Sequence, residues 1–187
     1  MKTYLLAATL TLTAGLVPSL AFSQTIVMGD GSAQACYQSA KMGDQGSNHA
    51  IRTCDDALRD ALTQRDEAAT HVNRGVLLMR RGDTDAALED YTVAIKMRPK
   101  LAEAYINQGV AFFYQSRDED ALRAYDQAIA LKTDRMPEAL YNRALAHERM
   151  GNAKAAYYDL KAALELQPGW EQAEDAISRF TVTRRNS

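Results

Sequence analysis

The chain has 187 residues, a formal net charge of -2 and 47% hydrophobic residues. A mildly acidic balance with no basic stripe excludes the electrostatic footprint of a nucleic-acid binder. Its two cysteines, Cys36 and Cys54, lie in neither a C-x-x-C nor a C-x-x-C-H arrangement, which removes the sequence support for thiol exchange and covalent haem attachment.

Residues 1–23 open with Lys2, run apolar from Tyr4 to Val17, break at Pro18 and offer small residues for cleavage after Ala21 or Ser23. That order of charge, apolar stretch and small residues is a secretory signal, and the run is too interrupted for a retained membrane anchor. The expectation is export to a periplasmic compartment, with no membrane insertion after cleavage and a flexible stretch at 24–31. Cutting after Ser23 removes Lys2 and no acid, taking the charge from -2 to one unit lower. In an oxidising compartment Cys36 and Cys54 are expected to form a structural disulfide.

Three stretches then align: NRGVLLMRRGDTDAALEDYTVAIKMRP, NQGVAFFYQSRDEDALRAYDQAIALKT and NRALAHERMGNAKAAYYDLKAALELQP. Gly75, Gly109 and Ala144 fall 34 and 35 residues apart, and the columns Ala87/Ala121/Ala156, Tyr91/Tyr125/Leu160 and Ala94/Ala128/Ala163 follow. Apolar residues recur at three- and four-residue steps on both sides of the breaks RRGDTD, QSRDED and RMGNAK, so each stretch is predicted to form two helices. Gly82 and Gly151 suit left-handed helix ends, and Asp83 or Asn152 suit the next amino-terminal cap. Gly75 or Ala144 against Ala87 or Ala156 predicts a close helix–helix approach, with Tyr91 and Tyr125 filling the wedge beside it.

This period, the small residue of the first helix, the two alanines and aromatic of the second, and the closing Pro99 and Pro168 resemble tetratricopeptide repeats. The resemblance assigns repeats to 68–101, 102–136 and 137–170. It implies an all-α fold, a right-handed α-solenoid of helix-turn-helix units. His71 and Leu140 stand where the family often has tryptophan, Thr133 where the middle unit would have its proline, and His147 where an aromatic is common. Residues 32–65 imitate a degenerate further hairpin, with Ala50 to Leu62 as its second helix and GDQGSN as its loop. The Cys36–Cys54 bridge would close that hairpin and contribute about 3 kcal/mol in the chain-entropy account. Residues 170–180, with Trp170, Ala173, Ile177 and Phe180 on one stripe, read as a terminal capping helix. Residues 181–187 read as a polar tail.

In this family the first helices line a concave wall, so the resemblance implies a peptide-binding groove. Its lining is read as Val72, Asn73, Val76, Met79 and Arg80 from the first unit and Ile106, Asn107, Val110, Phe113 and Tyr114 from the second. The third unit contributes Tyr141, Asn142, Leu145 and Arg149. One asparagine per unit recurs in the same column, and two readings stay open. An amide that both donates and accepts matches a peptide group and can hold an extended chain without regard to its sequence. Alternatively, the amides tie neighbouring helices together. A carboxylate clamp of the co-chaperone kind is not implied, because its cationic places hold Ala69, Glu138 and Asn142, and Glu103 and Glu138 would repel an acidic chain end.

The three histidines are dispersed and no phosphate loop or nucleophile motif occurs, so no cofactor, metal or reaction is expected. The expected role is a non-catalytic adaptor binding a protein or peptide partner. The rivals are a self-assembling envelope component and an accessory factor of an enzyme complex. Oligomeric state is not fixed by these features.

Overall fold

A computed structural model describes residues 4–7, 20–22, 25 and 31–184. In chain order the elements are β1 (Tyr4–Ala7), α1 (Ser32–Lys41), α2 (Asn48–Ala57), α3 (Gln64–Arg81), α4 (Thr84–Met97), α5 (Ala102–Tyr114), α6 (Asp118–Ala130), α7 (Met136–Arg149), α8 (Ala153–Leu166), α9 (Glu171–Ser178) and β2 (Thr181–Arg184). The fold is helical throughout its repeats, and the chain divides into two compact units, residues 22–135 and residues 1–21 with 136–187.

The first of these contains three helical hairpins, α1–α2, α3–α4 and α5–α6. Its packing begins with small residues. A Cβ added to Gly109 would lie 2.5 Å from Cε1 of Tyr125, and one added to Gly75 would overlap the ring of Tyr91 in the same way. The residue facing each glycine is thus the aromatic of the second helix rather than the aligned alanine, and both tyrosines are wholly buried. Between α3–α4 and α5, a cluster of Ala68, Val72, Ala94 and Ala104 is flanked by Ile95, Met97 and Leu101. The amino-terminal hairpin packs Ala33 and Ala57 onto Ala69 of α3.

Cys36 and Cys54 bond across α1 and α2 with S–S 2.07 Å, and both are wholly buried. The helix expected over Ala50 to Leu62 stops at Ala57. Asp60, just beyond, accepts from Ser32 Oγ at 2.5 Å, so the chain turns back toward the start of α1 instead of continuing helically. Helix α3 in turn begins at Gln64, four residues before the expected repeat boundary. Thr63 caps it by accepting from the Asp66 N–H at 3.2 Å and donating to the Asp66 carboxylate at 2.8 Å.

The second unit holds α7, α8 and α9. Ala144 and Leu160, wholly or nearly buried, stand where the other repeats have glycine and tyrosine. A smaller partner on the second helix leaves room for one methyl on the first. Helix α9 buries Ala173 and Ala176, and Phe180 follows it, while Ile177 is only half-buried. Trp170 at its start packs against Tyr141 in a tilted ring contact, centroids 4.8 Å apart. Arg179 at its end donates to both Glu148 carboxylate oxygens, at 3.0 and 2.7 Å.

The expected polar tail is in part a strand: β2 pairs antiparallel with β1, Tyr4 opposite Arg184 and Ala7 opposite Thr181. Of the residues read as a secretory signal, only 4–7 and 20–22 are described, and of the stretch 24–31 only Thr25 and Gly31. Arg185 and the remainder of the tail lie outside the described residues.

All three helix bends share one hydrogen-bond pattern. Asp83 N–H donates to Leu78 O and Gly82 N–H to Met79 O. Arg117 to Phe112 with Ser116 to Phe113, and Asn152 to His147 with Gly151 to Glu148, repeat it. This is the Schellman closure, which needs a left-handed residue at its centre. Gly82 (φ 96) and Gly151 (φ 77) supply it freely, whereas the middle repeat forces Ser116 into φ 59. Asp83 and Asn152 occupy the N-cap positions but make no side-chain cap hydrogen bond. The Asp83 carboxylate instead accepts from Arg81 Nε at 2.6 Å.

Candidate functional site

The recurring asparagines lie on the first helix of each repeat, and all three are wholly buried. Asn73 on α3 meets main chain. Its Nδ2 donates to Thr25 O at 2.9 Å, and its Oδ1 accepts from Thr25 N–H at 3.1 Å. In the other unit Asn142 on α7 repeats the contact on Ala21, donating at 2.9 Å and accepting at 3.1 Å. Each amide therefore closes a ring on the N–H and C=O of a single residue. A residue directs both groups to one side only when its backbone is extended, as in an antiparallel ladder. Neither amide is spent on a neighbouring helix in these pairs.

Around Asn73, Val72 and Val76 are wholly buried and Met79 nearly so. On α5 the same holds for Ile106, Asn107 and Val110, with Phe113 nearly buried. Tyr114, next to Phe113 in an edge-on contact, is 47% exposed. On α7, Tyr141 and Leu145 are buried and Arg149 is exposed.

Two residues read as groove lining, Arg80 and Tyr141, and Glu148 on the same helix as Tyr141, have other attachments. Arg80 donates to Ala40 O at 2.7 Å and Asp44 O at 3.2 Å, closing the end of α1. Tyr141 is covered by Trp170, and Glu148 is held by Arg179. Each supports a chain end, because long polar and aromatic side chains reach past their own helix to whatever packs beside it.

Two concavities lie off this stripe, at the helix bends. One of about 590 Å³ is lined by His147, Gly151, Asn152, Lys154 and Tyr158, and one of about 550 Å³ by Gly82, Asp83, Thr84, Asp85 and Gln115.

Sequence reading missed a second column. Buried Asp90 accepts from Arg74 at 2.8 and 2.6 Å and faces His71 Nδ1 at 2.7 Å, while Arg74 also reaches Asp55 at 2.7 Å. Hydrogen bonding to Asp90 holds the Arg74 guanidinium more firmly protonated than usual. Arg143 and Asp159 repeat the fork at 2.7 Å twice. The signal was present as the pairs Asn-Arg and Asp-Tyr or Asp-Leu in matching columns, but the middle repeat has Gln108 and Ala124 there, which interrupts the pattern. The buried carboxylates are thus taken up by structural pairing. Among the described residues no group of three His, Cys, Asp or Glu is placed to hold a metal ion, and no helix is long and apolar enough to cross a membrane.

The tetratricopeptide repeat family model matches residues 50–102, 72–134 and 106–169. The chain belongs to the tetratricopeptide-repeat family. Among similar repeat proteins, the DnaJ homolog subfamily C member 7 homolog of Schizosaccharomyces pombe is 28% identical over 119 residues, covering 62% of this chain and 25% of that protein. The chain spans about a quarter of the length of the curated relatives it matches. A crystal structure of MamA is 25% identical with TM-score 0.63, covering 81% of this chain and 82% of that one. The second repeat domain of human RPAP3, solved with the HSP70 peptide SGPTIEEVD, is 27% identical with TM-score 0.58, covering 63% and 97%.

Proposed function

We propose that this repeat protein is a non-catalytic adaptor that takes an extended segment of a partner protein against the first-helix face of its repeats, gripping it by main chain. The observation that carries this is the closed pair of hydrogen bonds from one carboxamide to one residue, made by Asn73 and again by Asn142. Such a contact reads the peptide group and not the side chain, so it tolerates many sequences. Val72, Val76, Ile106, Val110 and Phe113 in one unit, and Leu145 in the other, supply the apolar flank beside the amides. The site differs from one built for an acidic terminus: the positions that would hold its cations are Ala69, Glu138 and Asn142. The apolar run and small residues of 1–23 support export as the setting.

The test uses a synthetic extended peptide and its backbone N-methylated copies. Main-chain gripping predicts that altering peptide side chains changes affinity less than about tenfold, as expected when apolar side-chain contacts differ by about 1 kcal/mol. N-methylation at a gripped residue should remove binding. Equal affinity for methylated and unmethylated peptides would refute the reading.

A further inference from the structure

Just after α9 the chain sets out a strand from a fixed root. The ring of buried Phe180 lies 6.4 Å from that of Tyr157 on α8, and Arg179 before it is held by both carboxylate oxygens of Glu148 on α7. From that root β2 runs antiparallel to β1, and each residue of Thr181–Arg184 has its partner in Tyr4–Ala7. β1 also lies beside α8, so one extended tetrapeptide is set against both a strand edge and a helix. Both strands and α7 to α9 belong to one compact unit.

We propose that β2 is a strand-acceptor edge: with residues 1–23 removed, it takes up an extended, uncharged, apolar segment of a partner protein as its antiparallel neighbour in place of β1. This site is separate from the asparagine column. Its release rests on the export setting proposed above, because β1 lies within the stretch that is cut away.

The chemistry of the occupant is read from what the edge holds in the intact chain. Residues 4–7 are YLLA, and no charged residue occurs from Thr3 to Gly29. On the other side of the ladder Thr181, Val182 and Thr183 are β-branched, which favours an extended backbone. Once β1 is lost, the edge presents N–H and C=O groups with no ladder partner, and such an edge templates pairing with another chain. Arg184 in the edge and Arg185 after it argue for a partner segment over a second β2, because cations on an edge oppose pairing between like copies. The root held by Tyr157 and Glu148 is in place before any partner arrives, which lowers the ordering cost of binding.

The experiment measures fluorescence anisotropy of a labelled peptide copying residues 2–9, KTYLLAAT, added to the full chain. Leu5→Pro with Leu6→Pro takes β1 out of the ladder, because one of two adjacent residues in an antiparallel strand is in a hydrogen-bonded pair and proline has no N–H to donate. This variant is expected to bind the peptide about tenfold or more tightly than the parent, whose tethered β1 competes at an effective concentration on the order of millimolar. Adding Val182→Pro and Thr183→Pro, outside any helix, should abolish that binding with the helical circular dichroism retained. A peptide N-methylated at both leucines makes the same cut from the ligand side and should not bind. Equal affinity for parent and β1 variant, or binding that survives either cut, overturns the acceptor edge. Self-association of the β1 variant in sedimentation, with no peptide bound, assigns the edge to a second copy and overturns the partner segment. The intact mass of the exported chain tests the setting by itself: a product that keeps residues 1–23 overturns release by cleavage, whatever the peptide does.

Discussion

Gly109 and Tyr125 occupy one space: the Cβ that glycine lacks would lie 2.5 Å from the tyrosine ring. Gly109→Ala therefore forces a ring or a helix to move, and the expected loss is about 1 to 3 kcal/mol, the range for overpacking a filled core. The third repeat shows the compensation, with Ala144 paired to Leu160. Gly109→Ala combined with Tyr125→Leu should recover part of the loss, giving a coupling energy in a urea-denaturation double-mutant cycle. Simple additivity of the two substitutions would show that this pair does not set the helix spacing.

The phenol of Tyr91 is wholly buried, and its hydroxyl has no hydrogen-bond partner among the described residues. Burial raises its pKa well above the usual tyrosine value. The neutral phenol is present in both states below the unfolded pKa of about 10, so this group contributes no pH dependence there. As pH rises above that value the unfolded chain loses the proton first, and stability falls. Tyr91→Phe is expected to leave stability near neutrality unchanged or raised by about 1 kcal/mol, and to reduce the alkaline decline. Thermal melts from pH 7 to 11, a span bracketing the free phenol pKa of about 10, compare the two proteins.

Ser116 takes a left-handed backbone conformation at the bend where the other two repeats have glycine. Ser116→Gly should relieve that strain and raise stability by about 0.5 to 1 kcal/mol, after subtracting glycine's greater unfolded freedom. The change is read from the urea midpoint, with the slope unaltered. A drop in midpoint would mean that the serine side chain contributes more than its conformation costs.

Asp90 accepts from Arg74 and His71 in a nearly closed site. Asp90→Ala leaves a half-buried guanidinium with only Asp55, and the expected loss is about 3 kcal/mol, as for breaking one side of a buried pair. Chemical denaturation measures it, and a loss below about 1 kcal/mol would place the pair with ordinary surface bridges.

The repeat was legible because its physics is local. Glycine facing tyrosine, glycine at a left-handed bend and alanine between helices each leave a fixed letter in a fixed column, and the period makes three copies visible. The fork of Asp90 with Arg74 was harder, since Gln108 and Ala124 break its column in the middle repeat. The early stop of α2 escaped because the Ser32 hydroxyl that engages Asp60 lies 28 residues away in sequence, where periodicity carries no information.

By itself the sequence determined the helical hairpins and the equivalent places of Asn73, Asn107 and Asn142 on the first helix of each, because a repeating steric pattern fixes how the two helices of each pair pack. Only the tertiary structure decided what Asn73 and Asn142 hold. A carboxamide accepts any suitably presented peptide group, and the stretch carrying Ala21 and Thr25 has no helical period to announce it. The hydrogen bonds of Ala21 and Thr25 exist only once the helices have assembled.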